Sequence, residues 1–445
     1  MGDSALRSGD SEAEYLHDST EMQGLRGHAD AVVAPADVAG VQALVRWCYD
    51  HDLPIVPRGG GTGFAGGAVP FGGVVCSLER LDRVRAFDPE LWRMHVDAGV
   101  TTGRVQKLAR ESGLYYPPDP GAVEQSQIGG NIACNAGGPH SFKYGVTGEW
   151  VTGVEAVVAG GELVRWGGRV RKDVAGYDLR SLLTGSEGTL GVITGAWLRM
   201  IPAPELTLPI AAAYRTLEAG TAALGRVLGS GLLPAALEFF DAGCLAASAA
   251  AFPRGLPEDV GFLVLAEADG SLEAAQRLLE ELEEALAVDA LVLRRFETAA
   301  DQRELWRWRN GVSFAVSTRR GGKMSEDVAV PFEALGAAIE ATVEIGLQHQ
   351  LTGCSWGHAG DGNLHATFMI DASSEAEVAR AVAAHEELFS RALDLGGTVS
   401  GEHGLGWVKR GQFERRFSPL EADLQRRIKA VFDPKGLFNP GKKLG

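Results

Sequence analysis

Glycine clusters constrain the fold of the first 200 residues more than any other feature of this chain. Of the 445 residues, 59 are glycine, well above the usual share of about 7%. Between residue 30 and about residue 200, short runs of Val, Ile and Leu alternate with glycine-rich turns, and only 38–51 has a clear helical pattern. Short strands joined by glycine loops are therefore expected. The richest stretches are LPIVPRGGGTGFAGGAVPFGGVVCSL (53–78), QSQIGGNIACNAGG (125–138) and LLTGSEGTLGVIT (182–194).

The first stretch contains Gly61-x-Gly63-x-x-Gly66, which formally matches a dinucleotide-binding fingerprint. A Rossmann site needs a helix that opens at the last glycine, whereas three glycines and a proline between residues 67 and 73 prevent one. The expected path is strand, glycine loop, strand. Consecutive backbone N–H groups in such a loop can still form a nest for phosphate. A plain bulged connection between strands is the alternative.

A flat ligand can approach the backbone in all three stretches, because glycine has no Cβ to keep it away. Three such loops within about 140 residues predict a long, flat cofactor that carries a diphosphate.

Two of the ten histidines stand seven positions apart in WGHAGDGNLH (356–365). Asp-Gly between extended segments is a strong signal for a two-residue hairpin turn. A turn at Asp361-Gly362 pairs 360 with 363, 359 with 364, and 358 with 365. His358 and His365 would then face each other with Cβ atoms roughly 5 Å apart, close enough to share one metal ion. Two polar residues on a solvated hairpin are the alternative.

Bulk composition excludes several classes of protein. A length of 445 residues predicts two domains, or one domain with a large insert. A content of 45% hydrophobic and 22% charged residues is typical of a soluble globular protein. The net charge of −16 opposes binding to nucleic acid or to an anionic membrane surface.

The chain has no apolar run long enough to span a bilayer, and its acidic N-terminus is not a secretory signal. Five scattered cysteines form neither a disulfide framework nor an iron–sulfur motif. We expect a cytoplasmic enzyme.

Residues 154–167 are predicted to form a hairpin around Gly160-Gly161. The segment PAPELTLP (202–209) predicts a domain boundary, and the sequence pattern changes there. Beyond it, helices with apolar stripes and acidic faces alternate with strands, which predicts an α+β region in which helices cover a mixed sheet. The predicted helices are 271–287, 332–349 and 373–396, and the predicted strands are 261–268 and 327–332.

Seven motifs occurring in order identify a resemblance. They are PIVPRGGGTGFAGGAVP, IGGNIACNAGG, KYGVTGEWVTGVEAVV, GYDLRSLLTGSEGTLGVIT, HAGDGNLH, SGEHGLG and DPKGLFNPGKKL. Together they resemble the FAD-linked oxidase family of vanillyl-alcohol-oxidase fold, in the branch of the glycolate oxidase catalytic subunit, D-lactate dehydrogenase and D-2-hydroxyglutarate dehydrogenase. The resemblance covers residues 15 to 441 and implies a two-domain α+β fold. It implies an N-terminal arm (1–29), an FAD-binding domain (30–203), a substrate cap domain (204–400) and a C-terminal segment that returns to the flavin (401–445).

The resemblance also implies how FAD is held. Backbone around Arg58 to Gly63 would bind the diphosphate, residues 127–137 would line the isoalloxazine ring and ribityl chain, and residues 187–193 would contact the adenosine end. Thr62 stands where some relatives carry a histidine bonded to FAD, so we expect non-covalent FAD. The implied cofactor-binding residues are Pro57, Arg58, Gly59, Gly60, Gly61, Thr62, Gly63, Gln127, Gly129, Gly130, Asn131, Ala136, Gly137, Glu187, Gly188, Ile193 and Asn439.

Oxidising a 2-hydroxy acid requires that the hydroxyl lose its proton while the Cα hydride passes to flavin N5. A divalent metal lowers the pKa of a bound hydroxyl. By the resemblance, Glu402 of SGEHGLG joins His358 and His365 as a ligand, and this set suits zinc, iron or manganese. His403 is the candidate general base, because its ordinary pKa near 6.5 suits proton uptake at neutral pH; a purely structural role is the alternative.

The substrate carboxylate needs a cation. Arg309 in LWRWRNGVSFAV (305–316) aligns with the carboxylate-binding arginine of the branch, and a guanidinium can hold a carboxylate through two hydrogen bonds. Ser313 lies one helical turn further on, and Lys323 is a further candidate. Trp306 and Trp308 are expected in the core.

The sequence therefore predicts FAD-dependent, metal-assisted oxidation of a small D-2-hydroxy acid, preferably glycolate or D-lactate. D-2-hydroxyglutarate oxidation, a non-catalytic flavin-binding subunit of an oxidase complex, and a redox-neutral flavin transferase of the alkylglycerone-phosphate synthase type are the alternatives. Electrons would leave to a partner protein, a quinone or oxygen. A homodimer or membership of an oxidase complex is compatible with the sequence.

Overall fold

The computed structural model describes residues 6–8, 13–20 and 24–444. Part of the predicted N-terminal arm (1–5, 9–12 and 21–23) lies outside the described residues, as does Gly445. No helix in the described ranges is both long and apolar enough to cross a membrane.

Eighteen strands occur in the described residues. They are β1 (Leu6–Ser8), β2 (Ala31–Val33), β3 (Ile55–Arg58), β4 (Val74–Ser77), β5 (Val84–Asp88), β6 (Arg93–Asp97), β7 (Leu114–Tyr115), β8 (Val151–Val158), β9 (Glu162–Gly167), β10 (Val192–Arg199), β11 (Ile201–Pro202), β12 (Leu206–Tyr214), β13 (Ala236–Asp241), β14 (Phe262–Gly270), β15 (Val292–Arg295), β16 (Gly322–Ala329), β17 (Thr352–His358) and β18 (Asn363–Ile370).

Thirteen α-helices occur in the same residues, and most of the long ones begin at a Ser, Thr or Asp whose side chain accepts a hydrogen bond from a backbone N–H of the first turn. They are α1 (Val38–Asp50), α2 (Thr102–Glu111), α3 (Ile128–Cys134), α4 (Ser141–Tyr144), α5 (Leu179–Leu183), α6 (Leu217–Gly229), α7 (Ala242–Ser248), α8 (Leu272–Ala287), α9 (Ala299–Thr318), α10 (Leu335–Gln348), α11 (Glu375–Asp394), α12 (Phe413–Arg416) and α13 (Pro419–Phe432).

The chain divides into two compact units. The first contains the described residues up to 138, 145–203 and 402–444, and the second contains 139–144 and 204–401. The first unit has a four-stranded sheet in the order β1-β2-β4-β3, a five-stranded sheet in the order β5-β6-β10-β8-β9, and the pair β11-β7. The path from β3 through the glycine loop to the parallel neighbour β4 is the predicted strand, loop, strand. The hairpin predicted at 154–167 is confirmed as β8–β9.

The second unit is built on one seven-stranded sheet in the order β15-β12-β14-β13-β17-β18-β16. Every neighbouring pair of strands in this sheet is antiparallel. The prediction of a mixed sheet is therefore wrong. Neighbouring strands are connected by hairpins or through helices on the sheet faces, and none of these connections makes a parallel pair. The strand predicted at 327–332 is also misplaced, because β16 ends at Ala329 and a 3-10 turn begins at Phe332. The three predicted long helices are confirmed as α8, α10 and α11, with shorter ends.

Helix α9 packs on one face of this sheet through a stripe of buried residues at helical spacing. Leu305, Trp308, Val312 and Val316 join Phe240 and Trp356 in one hydrophobic cluster, which confirms the core position of Trp308. Trp306 is only partly buried. The packing of this stripe fixes the rotation of α9, and with it the direction in which the polar residues beside the stripe point.

Candidate active site

The hairpin β17–β18 carries both histidines of the predicted metal site, but its register differs from the prediction. Trp356 pairs with His365, and His358 pairs with Asn363. Asp361-Gly362 is not a two-residue turn; it closes a four-residue loop that contains a 3-10 turn and ends at Gly362, with φ +66°. A Cβ on Gly362 would lie 2.0 Å from the carbonyl oxygen of Val330, so close packing fixes this loop.

The two imidazoles are therefore diagonal neighbours on the same face of the sheet, since side chains alternate along each strand. Their ring centroids are 5.5 Å apart, and the ring planes are nearly perpendicular at 85°. The revised register keeps His358 and His365 adjacent because a two-residue shift leaves both on their original face.

The side chain of Glu238 on β13 contacts both His358 and Arg309. The carboxylate is fully buried. One oxygen is 2.5 Å from Nδ1 of His358, and the other accepts hydrogen bonds from Nε and Nη2 of Arg309 at 2.7 and 2.5 Å. Burial is the largest influence on the pKa of Glu238 and would raise it, but the charges of Arg309 and His358 outweigh burial and lower it. An ionised Glu238 makes Nδ1 of His358 the protonated nitrogen and puts the lone pair on Nε2, as in histidines that bind metals.

Residues 398–401, which precede Glu402, are held against β16 and β18 by hydrogen bonds and close packing. Thr398 exchanges backbone hydrogen bonds with Ala329, and the hydroxyl of Ser400 donates to the buried carboxylate of Asp327 at 2.9 Å. A Cβ on Gly401 would lie only 2.1 Å from Nδ2 of Asn363. Glu402 directly follows Gly401, so its position depends on this close contact.

One ligand atom from each of His358, His365 and Glu402 lies within 4.8 Å of the other two. Two imidazole nitrogens and one carboxylate oxygen at this separation form a set that a divalent transition-metal ion could occupy, with coordination positions left for other ligands.

Arg309, Ser313 and Lys323 lie on or beside the same face. Nζ of Lys323 donates to the hydroxyl of Ser313 at 2.6 Å and lies 4.8 Å from the ring centroid of Trp356. Burial lowers the pKa of Lys323 to about 8. Because Glu238 occupies the Nε–Nη2 edge of Arg309, its other edge would have to serve a substrate; Nη1 makes no hydrogen bond to any residue described.

His403, the predicted general base, stacks on Phe64 with ring centroids 4.9 Å apart. Its Nε2 lies 3.8 Å from a carboxylate oxygen of Glu402.

The glycine stretches come together within the first unit. A Cβ built on Gly59 would lie 3.5 Å from the Cα of Gly130, and one on Gly188 would lie 3.3 Å from the ring of Pro57. A Cβ on Gly60 would lie 2.1 Å from the carbonyl oxygen of Gln125. Of these three positions, Gly60 is the one at which a side chain would clash with backbone, so glycine is required there.

Two sequence families match the chain. Residues 29–167 match a family described as FAD binding domain, and residues 203–443 match the C-terminal domain of FAD linked oxidases. The chain belongs to the FAD-linked oxidase family. This result confirms the resemblance drawn from the seven motifs.

Relatives of this FAD-linked oxidase align along nearly their full length. The chain is 36% identical over 430 residues to the glycolate oxidase subunit GlcD of Bacillus subtilis, covering 96% of this chain and 91% of that protein. It is 32% identical over 442 residues to a D-lactate dehydrogenase of Anaerostipes hadrus, covering 96% and 92%.

Solved structures confirm the predicted α+β fold of vanillyl-alcohol-oxidase type. p-Cresol methylhydroxylase superposes with a TM-score of 0.81 at 18% identity, covering 100% of this chain and 94% of that one. Alkyldihydroxyacetonephosphate synthase superposes with a TM-score of 0.77 at 17% identity, covering 99% and 82%. Identities this low show a common fold and nothing about the reaction.

The glycine loops of this FAD-linked oxidase have the donors that a diphosphate needs. None of the five backbone N–H groups of Gly59–Gly63 donates a hydrogen bond to another residue in the described ranges. Buried Gln127 Oε1 and Ser186 Oγ in the other two stretches also have no partner there, and the position of a Cβ on Gly130 has no atom within 4 Å. These polar groups have no protein partner in the described ranges and lie beside open space, so the residues present fit a bound FAD.

Two of the implied flavin contacts are occupied by protein groups. The carboxylate of Glu187 accepts hydrogen bonds from the backbone of Leu405 and Gly406. The side-chain amide of Asn439 donates to the carbonyls of Gly67 and Glu187. These side chains join the C-terminal segment to the loops, so their backbone is the part suited to contact FAD.

Sequence reasoning missed Glu238, Asp327, Asn363 and Ser400, which position the predicted ligands. A signal existed for Glu238, since it is the lone charge among apolar neighbours in PAALEFF (234–240), and a buried charge needs a partner. That signal does not name the partner, because His358 lies 120 positions away.

Proposed function

We propose that this FAD-linked oxidase converts a small D-2-hydroxy acid, glycolate or D-lactate, to the 2-oxo acid. The observation that carries this proposal is the grouping of His358, His365 and Glu402 within 4.8 Å, with Nη2 of Arg309 3.5 Å from His358. Groups able to act on a hydroxyl thus lie beside a cation able to bind a carboxylate. The printed functions of the relatives in Bacillus subtilis and Anaerostipes hadrus support the same substrate class.

The first unit would hold FAD without a covalent bond, which corresponds to the FAD-binding role predicted for residues 30–203. Backbone N–H groups of Gly59–Gly63 would bind the diphosphate, and the loop around Gly130 would line the flavin. Bound FAD supplies a hydride acceptor at flavin N5.

The second unit, with Glu402, would hold a zinc, iron or manganese ion and the substrate. Nε2 of His358, a ring nitrogen of His365 and the carboxylate of Glu402 would be the protein ligands. A cation held there lowers the pKa of a bound hydroxyl. Glu238 keeps His358 in the tautomer that a ligand needs.

Arg309 would bind the substrate carboxylate through its Nη1 side, because Glu238 already occupies its other edge. The charge on Glu238 also holds this guanidinium in place. His403 would accept the hydroxyl proton; its Nε2 lies 3.8 Å from a carboxylate oxygen of Glu402.

One observation favours a dicarboxylate such as D-2-hydroxyglutarate as a second candidate substrate. Lys323 reaches the hydroxyl of Ser313, one helical turn from Arg309 on α9. The sequence made Lys323 a further candidate for the substrate site, and its position beside Ser313 would let Lys323 and Arg309 together hold two carboxylates.

Anaerobic reduction of the yellow holoenzyme tests the proposal. Glycolate or D-lactate should bleach the flavin absorbance within seconds, and L-lactate should not. A flavin reduced equally by both enantiomers, or by no 2-hydroxy acid in a panel that includes D-2-hydroxyglutarate, contradicts it. The acceptor (a protein, a quinone or oxygen), the oligomeric state and the cytoplasmic location stay predictions.

A further inference from the structure

Four of the eight residues that line a pocket of about 360 Å³ in the first unit are arginines. Arg93 opens β6 and Arg199 closes β10, and these two residues pair directly across the strands. Arg169 and Arg171, from the segment after β9, complete the set. We call this the arginine pocket. The oxidation proposed above assigns no role to any of these residues.

Two of the four guanidinium groups, those of Arg93 and Arg199, each make one hydrogen bond to a protein group. Nε of Arg93 donates to Asp88 at 2.9 Å, and Nε of Arg199 donates to the carbonyl of Glu149 at 2.6 Å. Arg169 and Arg171 make no hydrogen bond or ion pair to any residue that the structure describes. All eight terminal amino groups of the four arginines are therefore without a protein partner within that part of the chain.

Aromatic rings support the same four side chains. Arg93 and Arg169 both lie over Trp197, at 5.7 and 5.1 Å from its ring centroid. Arg171 lies 5.3 Å from the centroid of Trp92, and Arg199 lies 4.2 Å from that of Trp150. Stacking on a ring limits the rotation of a guanidinium and leaves its in-plane N–H groups available.

This arrangement is unfavourable by itself. Like charges directly opposite on neighbouring strands destabilise a sheet, and Glu90 supplies the only carboxylate in the pocket lining. Burial lowers the pKa of Arg199; the charge of Glu149 opposes this shift, and the charge of Arg171 adds to it. The whole chain carries a net charge of −16, so a concentration of positive charge here is a local feature.

The backbone at the rim is also strained. Trp92 adopts a left-handed conformation with φ +53°, which is uncommon for a bulky residue. Its N–H donates to Pro89 and its carbonyl accepts from Met200, so the turn is held in a conformation that keeps the ring beside Arg171. Strained residues of this kind concentrate at ligand sites.

We propose that the arginine pocket binds a small, multiply charged oxyanion, namely a phosphate ester or a diphosphate. A compound of this class would satisfy several fork-shaped donor groups at once and would offset the repulsion between Arg93 and Arg199. The arginine pocket is concave, and its volume lies within the range of small-molecule sites. Both properties favour a small anion over the acidic surface of a protein.

Titration calorimetry on the FAD-loaded enzyme, with inorganic pyrophosphate as the probe at constant ionic strength, tests this. One pyrophosphate should bind per chain with saturation. The double variant Arg169→Ala/Arg171→Ala should weaken binding about tenfold or more, since two charge-assisted hydrogen-bonding groups are lost. The control Arg277→Ala/Arg427→Ala, which removes the same charge from exposed helix positions, should bind as the parent does.

Thermal unfolding provides a second readout. Pyrophosphate should raise the Tm of the parent enzyme and of the control but not of the double variant, whose own Tm without the anion should be unchanged or higher. The proposal would be overturned if pyrophosphate did not bind saturably, or if the control lost as much pyrophosphate affinity as the double variant. It would also be overturned if Arg309→Met, and not the double variant, lost this affinity, because the anion would then bind in the substrate site. Citrate and phosphate as further probes distinguish a polycarboxylate from a phosphate group. Tighter binding of citrate would also overturn it.

Discussion

The glycine loop at 59–63 and the hairpin at 356–365 use opposite means to build a binding site. The loop offers five backbone N–H groups and depends on the absence of side chains. The hairpin offers imidazoles whose orientation depends on buried side chains from distant strands, above all Glu238. A motif therefore predicts the proposed diphosphate-binding loop directly, whereas for the proposed metal site it predicts only the ligands.

This difference predicts distinct consequences for substitution. Adding one methyl group to the loops should impair cofactor binding, while removing one functional group from the hairpin should impair chemistry and leave the flavin bound. The following variants separate these two outcomes.

The largest effect is expected for His365→Ala. Loss of one of three metal ligands should lower kcat/KM on the order of 10³-fold, the range expected when metal stabilisation of charge is lost. FAD content, measured by absorbance, should stay at the parental value. The matched control is His349→Ala at the C-cap of α10, which should retain full turnover. Parental turnover and metal content in His365→Ala would remove this residue from the site.

A smaller effect is expected for Glu238→Gln, which keeps the size of the side chain but removes its charge. Supporting carboxylates of metal-bound histidines typically contribute 10- to 100-fold, so we expect metal affinity to fall by about that factor. Competition with a fluorescent chelator measures it. Glu333→Gln, outside this network, serves as the control. An unchanged metal affinity would show that Glu238 serves only to neutralise Arg309.

The glycine loops should respond to added methyl groups in three different ways. Gly130→Ala fills open space next to the loops, so the Kd for FAD should rise about tenfold, a loss near 1.4 kcal/mol, with the Tm of the apoprotein unchanged. Gly60→Ala forces a methyl group against the carbonyl of Gln125 and should also cost about 1–3 kcal/mol of stability.

Gly121→Ala is the control, because no atom lies within 4 Å of its Cβ position and this residue lies outside the three glycine stretches. It should change neither FAD affinity nor stability. Parental FAD affinity in Gly130→Ala would contradict the assignment of this loop to the flavin.

The smallest effect is expected for Lys323. The pKa of Lys323 is lowered to about 8 by burial, so the side chain is positively charged below that pH and neutral above it. The KM of the parent for D-2-hydroxyglutarate should therefore rise severalfold as the pH increases through about 8, while the KM for glycolate changes little. Lys323→Met should abolish this dependence. Arg309→Met should raise KM for both acids, and a pH dependence that survives in Lys323→Met would assign it to another group.

The candidate residues of both proposed sites were predicted from the sequence, whereas the groups that position them were not, for identifiable physical reasons. The glycine loops, the hairpin and most of the long helices depend on local signals. The register was wrong by two positions because Gly362 is held against Val330, a contact that the turn residues do not encode. Asp327, Asn363 and Ser400 are ordinary polar residues in sequence, and only strand pairing makes them a support for Glu402.

An anomalous-scattering measurement on crystals of the turnover-competent holoenzyme tests the central proposal most directly. We expect one strong peak about 2.0–2.2 Å from Nε2 of His358, a ring nitrogen of His365 and the carboxylate of Glu402. Fully active crystals without a peak among these three side chains, or with the three side chains pointing apart, would contradict the account.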